Sequence, residues 1–74
     1  MPLVTIRIAR RELPTSAEQK VRLIAAVTDV VQQVLDKRRD SITVIIDEVD
    51  PDNWGEGGVS VATARAARKA GGSA

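Results

Sequence analysis

A chain of 74 residues holds one domain and, at this size, buries only about 60% of the surface its unfolded form exposes. It has no cysteine, no histidine and a single aromatic side chain, Trp54, so disulfides, Cys- or His-based metal sites and a ring-filled core are excluded. Its formal net charge of +1 gives no overall pull toward nucleic acid or membrane, and no apolar run is long enough to span a bilayer. Yet 43% of the residues are hydrophobic, mostly Val, Ile, Leu and Ala, which points to a core completed by other copies of the chain. The opening MPLVTIRIARR places charge inside its apolar run and is unlike a signal peptide, so a cytoplasmic location is expected.

Pro2 stands directly behind Met1 and opens the first strand. Removal of Met1 would leave a terminal secondary amine, a ring nitrogen able to act as a base. With no His, Cys or Tyr present, proton transfer near neutral pH falls to carboxylates, an atypical lysine or that nitrogen. The plain alternative is a proline tolerated at a strand's first residue. Residues Leu3 to Ala9 then alternate, with Val4, Ile6 and Ile8 on one face and Leu3, Thr5 and Arg7 on the other, which predicts a strand.

The basic segment Arg10-Arg11-Glu12-Leu13-Pro14 breaks this pattern, and a helix begins near Thr15. Thr15 with Glu18, or Ser16 with Gln19, has capping-box spacing, leaving the start open by one residue. Leu23, Ile24, Val27, Val30, Val31, Val34 and Leu35 form an amphipathic stripe. Lys37, Arg38 and Arg39 are read as cations at its C-terminal end, where the helix dipole favours them.

Ile42 to Val49 reads as a second, more continuously apolar strand, suited to cover on both faces. Strand, helix and strand in this order predict a parallel pair with a right-handed crossover. One helix leaves a sheet face and two edges bare, so the unit is incomplete alone. The turn-rich loop Asp50-Pro51-Asp52-Asn53-Trp54-Gly55-Glu56-Gly57-Gly58 leads into Val59-Ser60-Val61, one arm of a small hairpin. The glycines lack the strand-before, helix-after setting of a dinucleotide fingerprint. Asp47, Glu48, Asp50, Asp52 and Glu56 form an acidic cluster, read first as solvated. Residues 62–74, Ala/Arg/Lys-rich and poor in large apolar groups, are read as a basic, flexible tail after a domain spanning 1–61.

Taken in order, Met1-Pro2-Leu3-Val4, Ser16-Ala17-Glu18-Gln19-Lys20, Leu35-Asp36, Ser41-Ile42-Thr43-Val44-Ile45-Ile46 and Asn53-Trp54-Gly55-Glu56-Gly57-Gly58 resemble the 4-oxalocrotonate tautomerase family of amino-terminal-proline enzymes. The resemblance implies an α+β fold: a single β-α-β unit with parallel strands and a short C-terminal hairpin, completed by assembly into a homohexamer, a trimer of dimers. It also implies catalysis without cofactor or metal, in which Pro2 shuttles a proton between carbons of an enol or dienol and its keto form. The partners expected are a small carbonyl acid and further copies of the chain, with no nucleic acid and no membrane.

The family pairs its proline with two arginines. For the first, Arg11 or Arg10 is the candidate, in a segment carrying about three extra residues. The second falls on Thr43, whose hydroxyl cannot make a bidentate charged clamp. Arg39, or Arg7 from another subunit, is the candidate replacement; lacking a charged second clamp, the protein is expected to turn over monoacids or aldehyde-like enols at least as well as dicarboxylated dienols. Trp54 stands where the family places an aromatic wall, although it also suits a subunit interface. Two other functions remain open on these residues. Hydrolytic dehalogenation or hydration on the same fold would need a buried carboxylate of raised pKa. A non-enzymatic oligomeric module would use the basic tail to bind an acidic partner.

Overall fold

Strands β1 (Leu3–Ala9) and β2 (Thr43–Val49) lie side by side in parallel in the structure, a computed structural model that describes residues 1–70. Leu3 pairs with Thr43 and the register runs unbroken to Ala9 opposite Val49. The connecting helix α1 (Ala17–Leu35) covers one face of this pair. The expected β-α-β unit is therefore the fold, with Val4, Ile6 and Ile8 half-buried and paired with Val44, Ile46 and Glu48. Leu3, Thr5, Arg7, Thr43, Ile45 and Asp47 occupy the opposite, uncovered face. There, Leu3 is 62% exposed and Ile45 48%.

The start of α1 resolves the choice between its two capping boxes. Ser16 Oγ accepts from the Gln19 N–H (3.0 Å), and Gln19 Oε1 accepts from the Ser16 N–H (3.0 Å). The Thr15 N–H, which a Thr15–Glu18 box would pair with Glu18, donates instead to Glu48 Oε2 (2.9 Å). The other end corrects an expectation. The helix stops at Leu35, and Asp36 caps it in the left-handed region (φ 53°, ψ 50°). Lys37 and Arg38 therefore lie beyond the helix, not in its last turn, and Arg39 starts a single 3-10 turn, Arg39–Ser41.

After β2, a 3-10 turn (Pro51–Asn53) leads through Trp54 into the hairpin of β3 (Gly55–Glu56) and β4 (Val59–Ser60). Gly57 and Gly58 make its tip at φ 61° and 85°, a conformation that side chains disfavour at both positions. The chain then differs from the sequence reading. Val61 is not a strand residue, and residues 62–70 are not a frayed tail: Val61–Ala70 form helix α2. Ser60 caps it, its Oγ accepting from the Thr63 N–H at 3.1 Å. The Gly-Gly-Ser-Ala terminus of the expected tail lies outside the described residues.

The core is thin. Among the described residues no apolar side chain is fully buried, and Thr28, whose hydroxyl donates to the Ile24 carbonyl (2.7 Å), is the only buried residue of any kind. The radius of gyration is 16.3 Å, where a compact domain of this length would have about 11 Å. The accessible area of 5753 Å² likewise exceeds the roughly 4,400 Å² expected of a folded monomer of this mass.

Candidate active site

The parallel ladder separates the candidate residues into two groups. At its N-terminal end, Pro2 is half-buried and its carbonyl accepts from the Thr43 N–H (3.0 Å), so Pro2 and Thr43 are neighbours where both strands begin. Met1 is 98% exposed, leaving the bond to Pro2 open to removal. Arg39 belongs to this end by position in the chain, but its guanidinium is engaged: Nη1 donates to Asp29 Oδ1 and to Gln32 Oε1 (3.3 Å), both on α1. Arg7 lies further along the uncovered sheet face, its Nε 3.7 Å from Asp47 Oδ2.

Arg10, Arg11 and Trp54 sit at the other end. Arg10 continues the ladder, its N–H donating to the Val49 carbonyl (2.9 Å), and its guanidinium pairs with Asp50 (3.1 Å). Trp54 is half-buried and its carbonyl accepts from the Val61 N–H (2.7 Å), joining the hairpin region to α2. Arg11 is exposed and has no hydrogen-bond or ion-pair partner among the described residues. Seven ladder residues at about 3.3 Å each place Pro2 on the order of 25 Å from this group within one chain. One chain thus brings Pro2 together with Thr43, and places Arg10 and Arg11 past the far end of β1 and Trp54 in the segment after β2, but does not bring the base to the Arg10–Arg11 pair.

Residues that the sequence reading assigned to a tail complete the second group. Arg65, half-buried, donates from Nη1 to the Arg10 carbonyl (2.7 Å), and Lys69 pairs with Glu12 (3.1 Å). These bonds lay α2 against the segment between β1 and α1. Arg11, Glu12, Leu13, Arg65, Arg68 and Lys69 line the resulting open groove of about 860 Å³. The sequence signals for this were Ser60 three residues before Thr63, an alanine-rich run of high helix propensity, and basic residues at helical spacing.

Asp47, Asp50 and Glu48 of the acidic cluster are engaged separately. Asp47 faces Arg7, Asp50 faces Arg10 and also accepts from the Asp52 N–H (2.9 Å), and Glu48 turns under α1. Glu48 pairs with Lys20 Nζ (2.8 Å), and that hydrogen bond, followed by the one from the Thr15 N–H, holds its carboxyl below the usual carboxylate range. This is opposite in direction to the shift that a water-activating general acid or base would require.

Comparison with known proteins agrees with this architecture. The family model described as tautomerase enzyme matches residues 2–64. A probable tautomerase of Dickeya dadantii is 49% identical over 65 residues, covering 88% of this chain and 94% of its own. The crystal structure of DmpI from Helicobacter pylori superimposes with a TM-score of 0.80 at 43% identity, over 88% of this chain and 97% of its own. A heterohexamer 4-oxalocrotonate tautomerase from Chloroflexus aurantiacus contributes a chain with a TM-score of 0.72 at 32% identity, over 84% of this chain and 95% of its own.

Proposed function

The chain belongs to the tautomerase family, and from that premise we propose that it is a cofactor-independent isomerase interconverting enol or dienol and keto forms of small carbonyl acids. Pro2, freed of Met1, is the acid/base. Its ring nitrogen in the neutral form takes a proton from carbon or enol oxygen next to the carbonyl, and the resulting ammonium returns it to another carbon. An arginine of the Arg10–Arg11 pair binds the substrate anion, and Trp54 walls the site and offers its indole N–H to a substrate oxygen. A guanidinium delivered by another copy beside this amine would disfavour its protonated form.

The observation that carries this reading is the division of the candidates between opposite ends of the β1–β2 ladder, together with the uncovered apolar face between them. A site containing both Pro2 and Arg11 is then built between copies of the chain, in a homo-oligomer for which a hexamer is the expected form. The hydratase or dehalogenase reading has less support, because the half-buried carboxylate Glu48 is committed to Lys20 as an anion.

Intact-mass analysis combined with kinetics tests the role of Pro2. Met-free protein should turn over enol or dienol acids, with kcat/KM rising with pH as the amine loses its proton. Retention of Met1 or acetylation of Pro2 converts that nitrogen into an amide and should abolish turnover. Full activity in the blocked protein would transfer the role of base to a carboxylate such as Asp52 or Glu56.

A further inference from the structure

Thr43 gives the Pro2 end of the sheet a hydroxyl and no charge, and Arg39 is tied to Asp29 and Gln32. The opposite end has a surplus. Arg11, Arg65, Arg68 and Lys69 line one groove against a single acid, Glu12, and Lys69 pairs with that acid. Two cations are left uncommitted, since neither Arg11 nor Arg68 has a partner among the described residues. Arg65 is fixed in place by one N–H bonded to the Arg10 carbonyl, which leaves its remaining donors free. The groove of about 860 Å³ lies within the roughly 300–1,000 Å³ range of small-molecule sites rather than that of a macromolecular footprint.

We propose that Arg65 and Arg68 of α2, facing Arg11 across this groove, seat a second carboxylate of the substrate, so that the enzyme prefers dicarboxylated enols. Helix α2 thereby replaces the clamp absent from strand two. The assignment rests on the tautomerase reading above, in which another copy delivers Pro2 to the Arg11 end of the sheet. Uncommitted guanidinium groups on two facing segments suit a planar carboxylate, which accepts paired N–H donors. Glu12 sets the edge of the seat by holding Lys69 aside.

Calorimetric titration of the Met-free protein with fumarate, an unreactive dicarboxylate, and crotonate, its monoacid counterpart, measures the seat independently of catalysis. Wild type should bind fumarate about tenfold or more tighter than crotonate, the worth of an added charge-assisted pair. Arg68→Ala, which breaks no observed bond, should remove most of that preference, and Arg68→Lys should keep part of it. Arg65→Ala with Arg68→Ala should bring the two acids to equal affinity, with sedimentation verifying an intact assembly. No fumarate binding, equal binding of both acids by wild type, or a preference unchanged in these variants would overturn the proposal. A fumarate preference lost in the variants, in a protein that turns over no enol acid, would overturn the catalytic reading while leaving the seat in place.

Discussion

Glu48 shows how one side chain ties the sheet to the helix start. It accepts from Lys20 in the first turns of α1 and from the Thr15 N–H just before the cap, and the Lys20 hydrogen bond is the larger cause of its lowered pKa. A carboxyl depressed in the folded state stabilises the fold fully above its ordinary value of 4.5 and loses that contribution as pH falls through the folded-state value. Glu48→Gln should therefore lower the melting temperature at pH 7, and its deficit relative to wild type should shrink as pH is taken progressively below 4.5. A deficit that stays constant across that range would show that the charge on Glu48 is not what joins Lys20 and Thr15. At this scale, the sequence singled out Pro2 as a candidate by its position, and Arg10, Arg11 and Trp54 by type and order. It concealed the helical setting of Arg65 and Arg68, because low hydrophobicity and clustered positive charge look alike in a loose tail and in a short, one-sided helix.

Among the elements, α1 ends on an unusual residue. Asp36 adopts φ 53°, a region that glycine occupies without steric cost, and places a negative side chain at the negative end of the helix dipole. Asp36→Gly should stabilise the fold by about 0.5–1 kcal/mol, read as a small rise in melting temperature. A fall would show that the Asp36 carboxylate makes a contact in the assembly that outweighs both costs. The central elements were legible because each has its own period: alternation in Leu3–Ala9 and three- and four-residue steps from Leu23 to Leu35. Boundaries were less so. Thr15 and Ser16 are equivalent caps by local spacing; in the fold Ser16 caps, and the Thr15 N–H is taken by Glu48, more than thirty residues away. Val61 likewise continues the apolar–polar alternation of Val59 and Ser60 in β4, but the Ser60 cap and the following alanines draw it into α2.

For the molecule as a whole, the governing fact is what the chain leaves uncovered. Leu3 and Ile45 on the bare sheet face, and Val30 and Val34 on α1, are exposed in a chain whose described residues contain no fully buried apolar side chain. Burying such surface is the main favourable term in folding, and cover by further copies of the chain is the assembly proposed above. Assembly by symmetry repeats any inter-chain pairing around the oligomer, and the pairing proposed above is a Pro2 from one copy with an Arg11 from another. Mixing two inactive proteins tests this claim most directly. One carries acetylated Pro2 with Arg11 intact, and the other carries Arg11→Ala with Pro2 free. After dissociation and reassembly together, about one quarter of randomly formed sites should hold both intact groups, and tautomerase activity should return in that proportion. Reassembled mixtures that remain as inactive as either parent would contradict a site shared between chains.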